Sequence, residues 1–415
     1  MSSLKAVSKG RWYSSICVFL LGALCLVISS GYTYGPALLL LAALPFLFYK
    51  SAWPRVNRAD AFIAGALVFF MLLWVAEVVL SGAGSREFDK PSRFLVGVIV
   101  LFWLLKYPPK LAFLWSGIAV GALGAGVFAL FERFVEGAPR AQGYTHSIQY
   151  GNISMLLGVL CVAGLGWALD QKCKLFWSAL LLVGFVAGFV GSMLSGSRGG
   201  WVGLPFIALV LYRCYRPWMK PRYLSIAAMV AVALLVFIYS VPQTGVQARV
   251  KQAFGDIEHY LDGNSATSVG GRFEMWKGAS LMIAEKPLTG WGEPGYQSKM
   301  AALAEQGEVP EFILMFEHAH NEYLDVFAKR GILGLVALLL LYFGPLRLFL
   351  KRTSGDDLAV SSLAAGGAAL CVAYIDFSLS QSFLSHNSGV MVFVFFLVVF
   401  WATLQNRLRL RGSAQ

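Results

Sequence analysis

The sequence has little charge: only 13% of its 415 residues are Asp, Glu, Lys or Arg, whereas a soluble globular protein carries about 25%. It contains no CxxC pair and no cysteine–histidine spacing typical of a metal site, which argues against a disulfide framework or a zinc site. The sequence also lacks a Walker loop, a Rossmann glycine fingerprint and an Asp-x-Asp motif on either side of a membrane. These absences argue against ATP or nucleotide-sugar chemistry. Hydrophobic residues make up 58% of the chain, and this composition predicts a polytopic membrane protein.

Apolar runs that can cross a bilayer as helices recur along the chain, and none of them alternates as a lipid-facing barrel strand would. The twelve runs are Trp12–Ser30, Pro36–Tyr49, Ala61–Leu80, Phe94–Leu105, Leu111–Leu130, Ile148–Leu169, Leu175–Leu194, Trp201–Tyr212, Tyr223–Ser240, Ile332–Phe349, Leu358–Ile375 and Gly389–Leu404. We therefore predict an all-α polytopic membrane protein with about twelve transmembrane helices. Residues 1–240 hold the first nine, residues 241–331 form one long loop segment with short helices, and residues 332–415 hold the last three and the C-terminus.

The distribution of charge predicts the orientation. If the N-terminus is cytoplasmic and the spans alternate, the inner side receives 20 of the 34 basic residues and only four of the 22 acidic ones. This positive-inside bias predicts that both termini are cytoplasmic and that the loop segment and all five histidines face outward, into the periplasm of a bacterium. The net charge of +12 is then a topology signal that also suits anionic membrane lipid, rather than a footprint for nucleic acid. We expect a multi-pass protein of the bacterial inner membrane.

Three arginines on the outward side are candidates for binding an anion. Arg272 lies at the start of a predicted helix that Pro287 closes, where a cation beside free amide donors suits a phosphate. Arg198 lies in a short glycine-rich turn that must sit at the bilayer surface, where a lipid-linked phosphate would be. Arg86 lies in a loop that also contains acidic residues, a mixture that is more typical of a solvated loop. The alternative for all three is a solvated or interfacial arginine.

Two histidines lie just before the tenth predicted span. On a helix, His318 and His320 would point about 200° apart, which argues against a shared metal ion. A general base fits better, with a carboxylate or Asn321 to orient the ring and Tyr323 nearby. A structural histidine is the alternative. The position at an outer membrane entrance, near two candidate phosphate-binding arginines, favours catalysis.

Taken together, these residues resemble the shared signature of the O-antigen ligase/polymerase superfamily, and of bacterial O-antigen ligases in particular. The matching positions are Arg272, Trp276, Pro287-Leu-Thr-Gly290-Trp-Gly292, His320-Asn321, Gly331 and Gly334. The resemblance implies a fold similar to the GT-C class and an inverting, metal-independent glycosyltransferase that needs no cofactor. Such an enzyme moves O-antigen polysaccharide from undecaprenyl pyrophosphate to lipid A–core in lipopolysaccharide biosynthesis.

The resemblance also implies roles for single residues. His320 matches the family's essential histidine, and Arg198 and Arg272 match its outward-facing arginines, which would bind the donor pyrophosphate. His318 and Arg86 have no match in the signature, so their roles rest on the argument from the residues.

Alternative functions share part of this pattern. O-antigen polymerases and protein O-oligosaccharyltransferases carry the same loop signature, but the chain shows no additional soluble domain and no second large outer loop, which favours the ligase. A transporter of lipid-linked sugars would place charged residues near the bilayer midplane. Here the spans carry almost no charge and the candidate residues gather in the outer loops, which favours an enzyme.

Overall fold

A computed structural model describes residues 2–48, 53–197, 199–218, 220, 222, 240, 246–353 and 356–412. Within these residues the fold is all-helical and contains no strand, which confirms the predicted class. The helices are α1 (Ser2–Ala23), α2 (Gly31–Leu47), α3 (Arg58–Leu80), α4 (Asp89–Lys106), α5 (Leu111–Phe134), α6 (Ser147–Leu169), α7 (Lys174–Ser195), α8 (Leu204–Tyr215), α9 (Val246–Leu261), α10 (Ser268–Glu285), α11 (Gly292–Glu305), α12 (Glu322–Leu350), α13 (Leu358–Ser380) and α14 (Asn387–Gly412).

Seven of the described helices are long and apolar enough to cross a membrane, namely α3, α5, α6, α7, α12, α13 and α14, and α2 is a shorter apolar helix. The protein is therefore a multi-pass membrane protein. The predicted first, fourth and eighth spans fall on α1, α4 and α8, of which α8 has only 12 residues. The predicted ninth span, Tyr223–Ser240, lies outside the described residues except for its last position. The count of twelve spans stays a prediction.

Helices α6, α13 and α14 form the centre of the bundle and are almost completely buried, whereas α7 exposes most of its surface. Small residues allow the close approach of α6 and α7. A Cβ atom at Gly188 would lie 2.6 Å from the carbonyl oxygen of Ser154, and one at Gly184 would lie 2.9 Å from the sulfur of Cys161. Glycine at such crossings is typical of helix packing in membranes, where van der Waals contact rather than hydrophobic burial holds helices together.

Helices α9, α10 and α11 form the loop segment, which packs on the end of the bundle where α3 and α13 end and α12 and α14 begin. We call this the loop end. The predicted helix start is confirmed: α10 begins at Ser268, where the Thr267 hydroxyl accepts a hydrogen bond from the Gly270 amide, and it ends at Glu285 before Pro287. The segment has a small apolar core of its own, built around Met282, Met300 and neighbouring side chains. The described part of the segment is thus helical and packed rather than extended.

A turn after α10 docks on a kink in α12. Gly331 has φ 64° and ψ −167° inside that helix, a conformation that is essentially restricted to glycine. A Cβ atom there would lie 2.1 Å from the carbonyl oxygen of Leu288. Gly290 also has a positive φ, and a Cβ atom on it would lie 2.5 Å from the backbone of Lys329. Gly290 and Gly331 of the sequence signature are therefore required by close backbone contact between the loop segment and α12.

The predicted orientation can be tested by cysteine labelling. Gln306 is exposed after α11, and among the six native cysteines only Cys173, in the α6–α7 connection, is exposed while the others are buried. If the charge bias sets the topology, a cysteine at position 306 should react with a membrane-impermeant reagent in intact spheroplasts. Cys173 is the internal control, because it should react only after lysis. The reverse pattern would overturn the orientation.

Candidate active site

Three histidine side chains meet at the loop end. The ring centroids of His318 and His320 are 4.4 Å apart, and those of His318 and His386 are 5.6 Å apart. The prediction that His318 and His320 point away from each other is wrong. It assumed a helix, whereas α12 begins only at Glu322 and the two histidines lie in the preceding loop.

The backbone of His320 is strained. Its φ is 48°, and a non-glycine residue in the left-handed region costs about 1–2 kcal/mol. The neighbouring Ala319 is held on both sides: its carbonyl oxygen accepts a hydrogen bond from Trp276 Nε1 at 3.0 Å, and its amide donates to Asp325 Oδ1 at 3.1 Å. Strain that is enforced by the surrounding structure is typical of functional sites. The loop that carries the histidines is thus fixed rather than free.

A buried lysine supports the same loop. Lys329 is 1% exposed, and its Nζ lies 2.9 Å from a Glu293 carboxylate oxygen and 3.1 Å from Asp325 Oδ1. It also donates a hydrogen bond of 3.1 Å to the carbonyl oxygen of Glu317, next to His318. Because Asp325 in turn holds the Ala319 amide, this network fixes the backbone on both sides of His318.

A second ion pair ties the loop segment to α3. Arg330 Nε lies 3.4 Å from Glu77 Oε2, and both side chains are buried. The guanidinium also lies over the ring of Trp74 at 4.1 Å, a favourable cation–π geometry. Glu77 Oε1 accepts a hydrogen bond of 2.7 Å from the Glu293 amide. Glu77 therefore binds both the start of α11 and the kink of α12.

Asn321 and Tyr323, the predicted supporting residues, have structural roles. The Asn321 side-chain oxygen caps α12 by accepting hydrogen bonds from the amides of Tyr323 and Leu324, as N-cap residues do. Its carbonyl group is therefore not used to orient the His320 ring. The Tyr323 hydroxyl donates to the carbonyl oxygen of Ile375 at 3.0 Å. Both residues fix the start of α12 against α13.

Arginines approach the histidines from the side of α10. Arg272 is half-buried in α10, and its charge contributes to lowering the pKa of His320. Arg140 lowers the pKa of Arg272, and its Nε donates a hydrogen bond of 2.7 Å to the carbonyl oxygen of Ser195 at the end of α7. Arg198, three residues beyond, lies outside the described residues. Trp276, one turn after Arg272 in α10, donates a hydrogen bond to the carbonyl oxygen of Ala319, so the start of α10 packs beside the loop that carries His320.

Arg86 is exposed on a single 3-10 turn, Ser85–Phe88. Its side chain makes no hydrogen bond or ion pair with any residue that the structure describes. Lys90, one turn further along, is half-buried, and its charge lowers the pKa of both His318 and His386. The role of Arg86 stays a prediction.

The environment keeps the histidines neutral. Burial, followed by neighbouring positive groups, lowers the pKa of His318 and of His320 to about 3 and that of His386 to about 4. Among the described residues, no hydrogen-bond partner faces Nδ1 of His318 or Nδ1 of His320. A neutral ring with an unused nitrogen is able to take a proton. In the same described ranges no three His, Cys, Asp or Glu side chains are arranged to hold a metal ion.

Sequence reasoning did not predict four residues of this cluster. His386 and Gln381 come from the short connection between α13 and α14, where the Gln381 amide nitrogen lies 3.1 Å from His386 Nε2. Lys90 comes from the first turn of α4, and Arg140 comes from the connection between α5 and α6. The available signal was weak: a polar stretch with a histidine between two long apolar runs. Which connections converge at one place depends on how the helices pack.

In its described residues the chain is therefore an all-helical, multi-pass membrane protein with a half-buried histidine cluster beside the helices of the loop segment. A family model described as O-antigen ligase matches residues 183–339, which include α10, α11 and the histidine pair. An uncharacterized protein of Haemophilus influenzae is 31% identical over 370 residues, which cover 88% of this chain and 91% of that protein. An O-antigen ligase of Escherichia coli is 25% identical over 305 residues, which cover 72% of this chain and 63% of that protein. The chain belongs to the O-antigen ligase superfamily.

The buried lysine network gives a stability prediction. Lys329→Met would leave the carboxylates of Asp325 and Glu293 without their cation, and breaking a buried ion pair costs about 3–5 kcal/mol. Lys299→Met is the matched control, because Lys299 pairs with the half-exposed Glu285 at 2.6 Å and a surface pair contributes about 0–1 kcal/mol. Thermal unfolding in detergent should show a much larger loss for Lys329→Met. Equal losses would refute the role of Lys329.

Proposed function

We propose that this protein is an O-antigen ligase of the bacterial inner membrane whose active site, the histidine cluster, faces the periplasm. It transfers a completed polysaccharide from undecaprenyl pyrophosphate to lipid A–core, with inversion at the anomeric carbon and without a metal ion or cofactor. The observation that supports the proposal is the packing of α10, which carries the half-buried Arg272, against the fixed loop that holds a neutral His320 with an unused Nδ1. A family match over this same region supports it.

The donor pyrophosphate binds on the arginine side of the cluster. Arg272, with Arg198 from the turn after α7, makes bidentate contacts to the phosphate oxygens. Arg140 adds positive charge at the same place, since it is close enough to lower the pKa of Arg272. Positive groups arranged in advance around a site of developing negative charge stabilise the transition state. They take the place that a metal ion holds in other enzymes that act on phosphates.

In the reaction, a hydroxyl oxygen of the acceptor attacks the anomeric carbon of the donor from the face opposite the pyrophosphate. The bond between that carbon and the phosphate oxygen breaks, and its electron pair leaves with undecaprenyl pyrophosphate. The proton of the hydroxyl passes to an imidazole nitrogen of His320, which acts as general base. Because the leaving group is already activated, the step requires no ATP.

Donor binding is expected to change the pKa of His320. A free-site pKa of about 3 makes His320 neutral but a weak base, since a general base is most effective with a pKa near the operating pH. A bound pyrophosphate would neutralise the arginines and place negative charge beside the ring, and both changes raise the pKa of a histidine. The histidine thus becomes a competent base only when the donor is present.

The decisive experiment supplies purified protein with lipid-linked polysaccharide and three separate acceptors: lipid A–core, a lipid-linked repeat unit and a pilin peptide. The ligase proposal expects sugar on lipid A–core alone, with and without EDTA. Sugar on the lipid-linked repeat would indicate a polymerase, and sugar on the peptide would indicate a protein O-oligosaccharyltransferase. Loss of transfer in EDTA with recovery in magnesium would contradict the metal-independent mechanism.

The role of His320 gives the next prediction. A general base contributes about 10²–10⁴ to the rate, so His320→Ala and His320→Gln should both lose most transfer, because glutamine cannot take the proton. His318→Ala should lose less, since it removes only the ring that contacts His320. The matched control is His259→Ala, an exposed histidine of α9, which should keep wild-type transfer. An active His320→Gln enzyme would demote His320 to positioning the acceptor.

The role of Arg272 gives a prediction with two measurements. Arg272→Ala should lower transfer by about 10²–10³, as for a lost oxyanion donor, and Arg272→Lys should recover part of it, because lysine keeps the charge without the planar fork. The Arg272→Ala substitution should also raise the pKa of His320, because it removes a neighbouring positive charge. The acidic fall of kcat/KM should therefore move to higher pH than in wild type.

Lys277→Ala serves as the control for Arg272, since Lys277 lies on the same helix and pairs with the exposed Glu308. It should change neither the rate nor the pH profile. Wild-type transfer by Arg272→Ala, or an unchanged acidic limb in a variant that has lost activity, would contradict the contact between donor, arginine and base.

A further inference from the structure

A polar cavity opens beside the histidine cluster and is not used by the mechanism above. Its volume is about 280 Å³, at the small end of the range for ligand sites. It lies between the starts of α2, α4 and α6 and the α13–α14 connection. Side chains that the argument uses are Tyr32, Lys90, Tyr144, Gln149, His386 and Ser388. No carboxylate is among the described residues that line it.

One wall of the cavity carries an unused hydrogen-bond donor. Gln149 is 1% exposed, and its amide oxygen accepts a hydrogen bond of 3.3 Å from the Ser388 hydroxyl. Its amide nitrogen, however, has no partner in the described part of the chain. A buried polar atom without a partner costs about 1–3 kcal/mol. A ligand that accepts a hydrogen bond there would remove this cost.

The lining fits a sugar. Amide and hydroxyl groups supply both donors and acceptors for sugar hydroxyls. The Tyr144 ring is 55% exposed, so its face is free to pack against the C–H face of a sugar. It is held in place by stacking on Phe128, with ring centroids 5.6 Å apart. The mixture of neutral polar groups, an exposed aromatic ring and one lysine is suited to carbohydrate more than to an apolar ligand.

The position of the cavity relative to His320 indicates which sugar unit of the substrate it would bind. His386 lines the cavity, and His318 stands between His386 and His320. Arg272 acts on His320 from the donor side, whereas Lys90 acts on His318 and His386. A sugar in the cavity would therefore contact His386, which is linked to His320 through the His318 ring, and this position suits a unit next to the reacting one.

We propose that this cavity is an acceptor subsite that binds a sugar unit of the lipid A–core oligosaccharide next to the unit that receives the polysaccharide. The inference rests on the proposed function. Binding of a neighbouring, non-reacting unit positions the acceptor hydroxyl at His320, and orientation of this kind lowers the barrier of a bimolecular step. With this subsite the enzyme would select its acceptor independently of donor binding.

The test compares Gln149→Leu and Tyr144→Ala with matched controls outside the cavity. Gln297→Leu removes another amide nitrogen that lacks a described partner, in α11, and Tyr34→Ala removes another exposed tyrosine, in α2. Each lost hydrogen bond or stacking contact should raise the KM for lipid A–core by about threefold to tenfold. The KM for the lipid-linked donor should not change, and both controls should match wild type.

A binding measurement separates this inference from the proposed function. Core oligosaccharide freed of lipid A is titrated onto the full-length protein in detergent, without donor, and detected by saturation-transfer NMR. Binding to wild type that is weakened in both variants supports the subsite even if no transfer is found. The inference would be overturned if the KM for the donor rose instead. It would also be overturned if oligosaccharide binding were absent in wild type or equal in all variants. Because Tyr144 lies on an exposed connection, Tyr144→Ala gives a result even if Gln149→Leu fails to fold.

Discussion

The ammonium group of Lys329 joins three parts of the chain on which the site depends. It contacts Asp325 one turn earlier in α12, Glu293 at the start of α11 and the backbone of Glu317 beside the histidine pair. A buried charge is tolerated only where its partners are all in place. The loop segment, the start of α12 and the histidine loop are therefore fixed together, and the strained backbone of His320 is one result.

The docking of the loop segment explains the glycines of the family signature. Gly331 and Gly290 lie where the backbone of α12 touches the turn after α10. A side chain at either position would collide with the backbone on the other side of this contact. Glu77 secures the same junction from α3 by binding Arg330 and the Glu293 amide. These residues contain no group that reacts with a sugar. Their role is to fix the loop that carries His318 and His320 on the membrane bundle.

The electrostatics of the cluster favour an anionic substrate. Neutral histidines are surrounded by Arg272, Arg140 and Lys90, whose charges lower the pKa values of their neighbours. Excess positive charge in a partly buried site is unfavourable until an anion is bound. Under the proposed function, binding of an anionic donor would therefore be coupled to the basicity of His320.

The all-helical membrane class and the start and end of α10 could be predicted from the sequence, because hydropathy and helix capping are local features. The functional roles of Arg272 and His320 stay predictions. The sequence did not determine the geometry of the histidines. The prediction for His318 failed because it assumed helical periodicity for a loop that Trp276, Asp325 and Lys329 hold in another conformation. His386, Lys90 and the lining of the polar cavity come from helix starts and connections far apart in the chain. Only the packing of the helices brings such connections together, since contacts between distant segments leave no local pattern in the sequence.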